Sequence, residues 1–442
     1  NQSGLRMLIS ASSFKSSDYR AMVEETISTG SITGGALERV VYLDTDDWSE
    51  LVAEGAGLPE DAVSSRSAAL RPEDPINIQY TSGTTGRPKG ATLTHHNILN
   101  NAYFVGRALR YTHRDRVCLP VPFYHCFGMV LGSLACAAHG ACMVVPSEGF
   151  DPRAVLEAVH VERCTALYGV PTMFVAVLEH PRFDACDVTA LRTGIMAGAP
   201  CPIELMRQVV TRLHMPEVAI GYGMTELSPI ATFTAADDSL ECRVGSVGRV
   251  FDHVEAKVVD PVTGRAVPRN VPGEFCARGY GVMRGYWDDP AATAGAIDEG
   301  GWMHSGDLAT MDDDGYFHVV GRIKDMIIRG GENIYPREVE EYLLTHPDVS
   351  EAQVIGVPDR RYGEEVMAWV KPKPGAALTA DGLTKFCAGN ISVHKVPRYW
   401  KVVAEFPLTV TGKVQKYRMR EQAVLELGLG PAAEPRPAPQ TA

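Results

Sequence analysis

Thr81-Ser-Gly-Thr-Thr-Gly-Arg-Pro-Lys-Gly90 is the stretch on which the reading of this chain turns. It follows Ile76–Tyr80, which reads as a short strand after a turn at Pro72–Pro75. Beyond it, Thr94-His-His-Asn97 can open a helix with Thr94 as the N-cap. A Gly-rich turn between strand and helix lets backbone N–H groups converge on an anion. Thr81, Ser82, Thr84 and Thr85 add hydroxyl donors, Gly83 and Gly86 allow close approach, and Lys89 adds positive charge. Triphosphate chemistry needs all three. The spacing is not the common P-loop, which wants four residues between Gly and Gly-Lys and then Ser or Thr. Here two residues separate Gly83 from Gly86, and Pro88 precedes Lys89. A lone Gly-x-x-Gly is most often a polar surface turn; ten residues this rich in glycine and hydroxyls read as a phosphate loop.

Outward from the loop, strands and helices alternate. Ser17–Ser28 has Tyr19, Met22, Val23 and Ile27 at helical spacing. Ala141–Pro146 and Val218–Gly221 read as buried strands, and Asp151–Val161 as a helix with Val155, Leu156 and Val159 inward. This alternation predicts an α/β architecture with largely parallel sheets. From about Val247 the texture becomes strands separated by tight turns: Glu255–Val259, Gly273–Ala277 and Tyr316–Val320. After Gly321 a separate α+β unit begins. Pro336 opens a helix with Val339, Tyr342 and Leu343 on its apolar face, Val349–Val357 and Val366–Lys371 are strands, and Thr379–Gly389 is a helix. The expected fold class is therefore α/β. A large N-terminal domain of parallel-sheet α/β subdomains carries a small β-subdomain (about 247–322) and spans 1–322; a small mobile α+β domain spans 323–430; a Pro- and Ala-rich tail, 431–442, is expected to be disordered.

Bulk properties narrow the function classes. The chain has 442 residues, 45% hydrophobic and 22% charged, with a formal net charge of -12. That balance argues against nucleic acid as a partner while leaving room for a small polyanion held by local donors. Ten cysteines form no C-x-x-C pair and no His cluster adjoins them, so a reducing, cytoplasmic setting without structural metal is expected. No run approaches the roughly 18–20 apolar residues of a membrane span, and no signal peptide is evident. Oligomeric state is not readable.

Seven further segments carry chemistry-bearing residues: Pro122-Phe-Tyr-His-Cys-Phe-Gly128, Gly198-Ala-Pro200, Gly221-Tyr-Gly-Met-Thr-Glu226, His304-Ser-Gly-Asp307, Gly321-Arg322, Lys324-Asp-Met-Ile-Ile-Arg-Gly-Gly-Glu-Asn-Ile-Tyr-Pro336 and Thr411-Gly-Lys413. Singly, each has a plainer reading. His125 is a satisfied histidine, Gly198–Pro200 a turn, Glu226 and Lys413 solvated charges, Asp307 and Arg322 a surface ion pair. Together and in this order, with the phosphate loop, they resemble the adenylate-forming superfamily of acyl- and aryl-CoA synthetases, adenylation domains and luciferases. The C-terminal third and Leu8–Glu25 are most similar to medium-chain fatty acyl-CoA synthetases.

The resemblance implies an ATP-dependent acid–CoA ligase, with ATP, Mg²⁺ and coenzyme A and a carboxylic acid, a medium-chain fatty acid above all, as reactants. It implies a phosphate role for Thr81, Ser82, Gly83, Thr84, Thr85, Gly86 and Lys89. His125 and its aromatic neighbours fall at the acyl-adenylate site, and Gly198, Ala199 and Pro200 border adenine. Tyr222 packs on adenine beside Gly223, Thr225 meets the α-phosphate, and Glu226 holds Mg²⁺, a hard cation suited to carboxylate and phosphate oxygens. Asp307 accepts from the ribose diol, for which an ionised carboxylate is suited, and Arg322 contacts the nucleotide. Lys324 takes the hinge position. Gly330 and Gly331 leave space for the pantetheine arm, and Lys413 is the adenylation lysine. Tyr124, Phe127, Met129, Met224 and Leu227 suggest an apolar acyl pocket, or ordinary core.

Two other readings compete: loading of a carrier protein in place of free coenzyme A, and a non-catalytic nucleotide-binding remnant. The chain also departs from the family. Only 80 residues precede the phosphate loop. About a hundred N-terminal residues of the large domain are therefore expected to be missing, leaving exposed apolar edges.

Overall fold

Short apolar runs punctuated by glycine and proline make the strands between residues 116 and 250, and they join into one seven-stranded sheet. The structure, a computed structural model, describes residues 2–30, 37–81, 88–199, 201–408 and 414–429. Across the sheet lie Arg249–Val250, Ile230–Phe233, Glu217–Gly223, Thr193–Ala197, Ala166–Gly169, Arg116–Cys118 and Cys142–Val144. The last five are mutually parallel; Ile230–Phe233 runs antiparallel to them, and Arg249–Val250, antiparallel to Ile230–Phe233, returns to their direction. Every residue of Ala166–Gly169 and Thr193–Ala197 is buried, as expected for parallel strands covered on both faces. The helix Pro152–Glu162 forms for legible reasons. Asp151 accepts from the Arg153 and Ala154 amides, Pro152 takes the first turn, and Val155, Leu156 and Val159 are buried. Each such aliphatic side chain contributes about 1.5–3 kcal/mol by leaving water.

The phosphate loop corrects one expectation. Its flanks are both strands, Pro75–Thr81 and Lys89–Thr94, paired antiparallel. The loop therefore joins a hairpin and does not run from strand to helix; Lys89–Thr94 was missed because Lys-Gly-Ala-Thr is poor strand sequence. The helix starts later, at His95, and there Thr94 caps it as expected. Its hydroxyl accepts from the Asn97 amide, and the Asn97 side chain accepts from the Thr94 amide.

A four-stranded antiparallel sheet follows, in the order Val254–Val259, Gly273–Gly279, Met303–Met311, Phe317–Arg322. Gly285–Tyr286 leaves this region and pairs with Lys89–Thr94, so the Pro75–Thr94 hairpin gains a third strand from far along the chain. The C-terminal unit is built on Gly363–Pro372, paired with Val349–Asp359 and Tyr399–Val402. Pro336–Leu343 and Ala380–Cys387 pack on it with their own core of Val339, Leu343, Val354, Val366 and Leu383.

The first eighty residues contribute little to the main core. Met7–Ser10 pairs with Arg39–Tyr42, and Tyr19–Ser28 is helical with Asp18 as cap, but that helix buries none of its residues. Met22 is 52% exposed and Ile27 48%. Among the described residues, the apolar face of this helix is left uncovered.

Candidate functional site

The four interior parallel strands of the large sheet end at one edge, and ligands of open α/β sheets bind at that edge. Three of the segments singled out in the sequence leave from it. Cys118 leads into Pro122–Gly128, Ala197 into Gly198 and Ala199, and Gly221 into Tyr222–Glu226. Topology therefore gathers residues separated by a hundred positions. Gly223 sits where no side chain fits: a Cβ would lie 1.8 Å from the Pro229 carbonyl oxygen.

Asp307 reaches this edge from the neighbouring four-stranded sheet. It is 9% exposed. Its Oδ2 accepts from the Tyr222 hydroxyl at 2.8 Å, and its Oδ1 pairs with Arg322 Nε at 3.1 Å. Asp307 and Arg322 are also cross-strand partners, so sheet register sets the pair. The Tyr222 ring meets Phe275 edge-on at 5.2 Å. Burial, and then the Asp307 charge, push the Tyr222 phenol well above its ordinary pKa. It stays a neutral donor to the carboxylate.

Glu226, 6% exposed, follows Thr225 in a short helical turn. Its Oε1 accepts from the Tyr286 hydroxyl at 2.8 Å. Among the described residues no cation forms a salt bridge with it. Cys126 closes the same space: its thiol donates to Gln79 at 2.9 Å and is pushed up to about 12 by burial and by the Glu226 charge. Lys89 stands with its ammonium 5.0 Å from the Tyr286 ring centroid. Thr81 donates to the Lys89 carbonyl across the hairpin at 3.4 Å. His125 Nδ1 accepts from the Phe127 amide.

A buried carboxylate that pairs with no cation among the described residues fits a divalent ion, since buried charges are paired or coordinate metals. The donor set here suits magnesium: one carboxylate plus the oxygens of a bound phosphate.

The remaining expectations divide. Lys324 lies in the turn Ile323–Asp325 directly after Arg322, and burial followed by the Arg322 charge lowers its pKa. Gly330 and Gly331 make the turn of a different hairpin, Ile327–Arg329 with Glu332–Ile334, in the C-terminal sheet. Their φ values of +62° and +92° match a type I′ turn. The Gly330 amide donates to Tyr362, not to the nucleotide edge. Ser82, Gly83, Thr84, Thr85, Gly86, Pro200 and Lys413 lie outside the described residues. Of the suggested apolar pocket, Phe127 and Leu227 belong to the main core with Met129 and Met224 packed against it, whereas Tyr124 is 74% exposed.

Two features escaped the sequence reading. Tyr286 is one; its reach to Glu226 depends on a strand pairing that spacing does not reveal. The other is a mixed group of one glutamate, one cysteine and one histidine. Glu274 and Cys276 lie two apart on one strand face, and His304 is the cross-strand partner of Cys276. His304 Nδ1 is 2.8 Å from Glu274 Oε2 and 3.5 Å from the Cys276 sulfur. Glu274 also accepts from the Gly306 amide at 3.0 Å. The group is thus closed by hydrogen bonds that brace the strand just before Asp307.

Residues 1–287 match the family model described as AMP-binding enzyme, and residues 338–413 match the AMP-binding enzyme C-terminal domain. YngI of Bacillus subtilis is 50% identical over 85% of this chain and 68% of its own length. The zebrafish (Danio rerio) medium-chain acyl-CoA ligase ACSF2, mitochondrial, is 45% identical over 94% of this chain and 71% of its own. Against the mouse ACSF2 protein the chain spans 58% of the relative's length. The ATP-bound crystal structure of MatB from Rhodopseudomonas palustris superposes with a TM-score of 0.82 at 31% identity, covering 96% of this chain and 80% of that one.

Proposed function

The chain belongs to the AMP-binding enzymes, and on that premise we propose that it is a fatty acid–CoA ligase: it joins a medium-chain fatty acid to coenzyme A at the expense of ATP, through an acyl-adenylate. The observation that carries this reading is the convergence at one sheet edge of Tyr222, Glu226 and Asp307, with Tyr222 and Asp307 in direct hydrogen-bond contact. A stacking ring, a diol acceptor and a metal carboxylate suit an adenine nucleotide.

In the first step the acid's carboxylate attacks the α-phosphorus, and pyrophosphate leaves. The acid is already ionised at pH 7, so no general base is required. What remains is to hold two anions together in line, and orientation of this kind reaches effective molarities of about 10⁵–10⁸ M. Asp307 and Arg322 fix the ribose end, Tyr222 the base, Thr225 the α-phosphate, and the 81–90 loop with Lys89 the outer phosphates. Magnesium, when bound, neutralises phosphate charge beside Glu226. Lys413 bridges the carboxylate and the α-phosphate as negative charge develops. His125 lines the acyl side. In the second step the coenzyme A thiol attacks the acyl carbon and AMP departs. We assign this step to the face that carries Gly330 and Gly331, with residues 323–430 turning about Lys324 against residues 1–322.

The acyl-CoA ligase relatives support the acid class, and the medium chain length rests on the ACSF2 relatives. No helix among the described residues is long and apolar enough to cross a membrane. We further propose a reducing, cytoplasmic setting, supported by ten cysteines that form no disulfide. Exchange of labelled pyrophosphate into ATP, run across fatty and aryl acids of graded length, tests the reading. Exchange that peaks with medium-chain fatty acids is expected; exchange with no acid of the panel would overturn it.

A further inference from the structure

We propose that Tyr286 is a positioning residue for adenylation: its hydroxyl fixes the orientation of the Glu226 carboxylate, and its ring sets the distance between that carboxylate and Lys89. The proposal rests on the acid–CoA ligase reading and adds a residue to it.

Two observations carry it. The phenol donates to Glu226 Oε1 at 2.8 Å, while the ring faces the Lys89 ammonium at 5.0 Å. One side chain thus touches both the carboxylate assigned to magnesium and the cation assigned to phosphate. Second, the backbone of Tyr286 is itself fixed. Gly285–Tyr286 pairs with Ala91 and Thr92 of the Pro75–Thr94 hairpin, the Tyr286 amide donates to the Thr293 hydroxyl oxygen at 2.9 Å, and the Trp287 amide donates to the Gly90 carbonyl at 2.7 Å. The Glu226 carbonyl accepts from the Met283 amide at 2.9 Å, so the same chain segment holds the glutamate backbone as well.

The chemistry follows from lone-pair geometry. An ionised carboxylate can turn about its terminal bond and can bind a cation with one oxygen or both. A donor on Oε1 removes that freedom and leaves Oε2 to face the phosphate site. Magnesium demands near-ideal octahedral geometry, so a carboxylate held to one oxygen serves it better than one free to bind through two. The ring meanwhile spaces Lys89 from Glu226, so that the two do not collapse into a salt bridge that would withdraw both from the nucleotide.

The test is a double-mutant cycle of Tyr286→Phe and Glu226→Gln, with thermal midpoints measured alongside. Two readouts are taken. One is binding of Mn²⁺ with ATP, followed by electron paramagnetic resonance. The other is each half-reaction separately: pyrophosphate exchange, and thioester formation from pre-made acyl-adenylate. Tyr286→Phe is expected to weaken Mn²⁺ binding and slow exchange by about tenfold each, in line with loss of one charge-assisted hydrogen bond. Thioester formation is expected to change less than about twofold. In the Glu226→Gln background the same substitution should add nothing further, because its effect passes through the carboxylate. Additive effects, equal loss of both half-reactions, or unchanged Mn²⁺ binding overturn the proposal. If Tyr286→Phe does not fold, Tyr286→Trp keeps the ring over Lys89 and removes the phenol, and the same outcomes apply. Wild-type protein that shows no exchange with any acid refutes the ligase reading itself; an active wild type with an additive cycle refutes only the role of Tyr286.

Discussion

Asp307→Asn isolates the charge of the carboxylate assigned to ribose while preserving its shape. An ionised carboxylate offers about four acceptor positions. In the structure one is taken by the Tyr222 hydroxyl and one by Arg322, leaving two for a diol. Asparagine keeps a single acceptor oxygen and presents an amide donor where the second ribose hydroxyl would donate. Hydrogen bonds to a charged group contribute about 1.5–3 kcal/mol against about 0.5–1.5 for neutral ones. Two such bonds weakened together cost about 2–3 kcal/mol, or roughly 30- to 150-fold at about 1.4 kcal/mol per decade. The variant is therefore expected to raise KM for ATP in pyrophosphate exchange by that factor, with KM for the acid nearly constant. Asp307 is buried beside Arg322, so a thermal midpoint must accompany the kinetics. A folded Asp307→Asn protein whose KM for ATP rises less than about threefold would refute the assignment of Asp307 to the ribose.

Gly331→Ala should separate the two half-reactions. A Cβ there meets nothing within 4 Å, so its folding cost is the left-handed strain alone, about 1–2 kcal/mol. Exchange should persist while thioester formation from pre-made acyl-adenylate falls at least about tenfold; equal effects on both count against a pantetheine path at this turn. Lys413→Ala should do the reverse, abolishing exchange yet sparing thioester formation, as measured with the same two assays. Asp115 gives a pH test of stability. Burial raises its pKa, but Thr165, the Thr112 amide and Arg192 outweigh it and hold the carboxyl below the ordinary range. A depressed folded pKa means stability that is present above the unfolded value of about 3.9 and is lost as pH falls through the folded value. Asp115→Asn should lower the thermal midpoint at pH 7, with a cost of about 1–3 kcal/mol, and the gap to wild type should narrow below about pH 4. A gap independent of pH excludes the charge as its cause.

Local signals made most of this legible. Asp151-Pro152 and Thr94 with Asn97 started helices where the sequence put them, because capping acts within a turn of chain. Continuous apolar runs such as Val218–Gly221 declared buried parallel strands. Non-local pairing did not show. Gly285–Tyr286 joining Lys89–Thr94 and His304 facing Cys276 are set by sheet register, which spacing along one chain does not encode. The site divided along the same line. Tyr222, Glu226 and Asp307 were singled out from their motifs as candidates, but the Tyr222–Asp307 bond joins two sheets and Tyr286 belongs to no motif read in the sequence. Tyr19–Ser28 shows the converse: helical period was sufficient to predict the helix and silent about whether anything covers it.

The central claim is that acyl transfer passes through an adenylate, and the fate of the acid's own oxygen tests it most directly. A medium-chain fatty acid labelled with heavy oxygen in its carboxylate would be incubated with this chain, ATP, Mg²⁺ and coenzyme A, and the products weighed by mass spectrometry. Attack of the carboxylate on the α-phosphorus, followed by thiol attack on the acyl carbon, leaves a labelled oxygen in AMP and the other in the thioester carbonyl. That distribution is the predicted result. Label in pyrophosphate or inorganic phosphate, or none in AMP while acyl-CoA accumulates, would contradict the account.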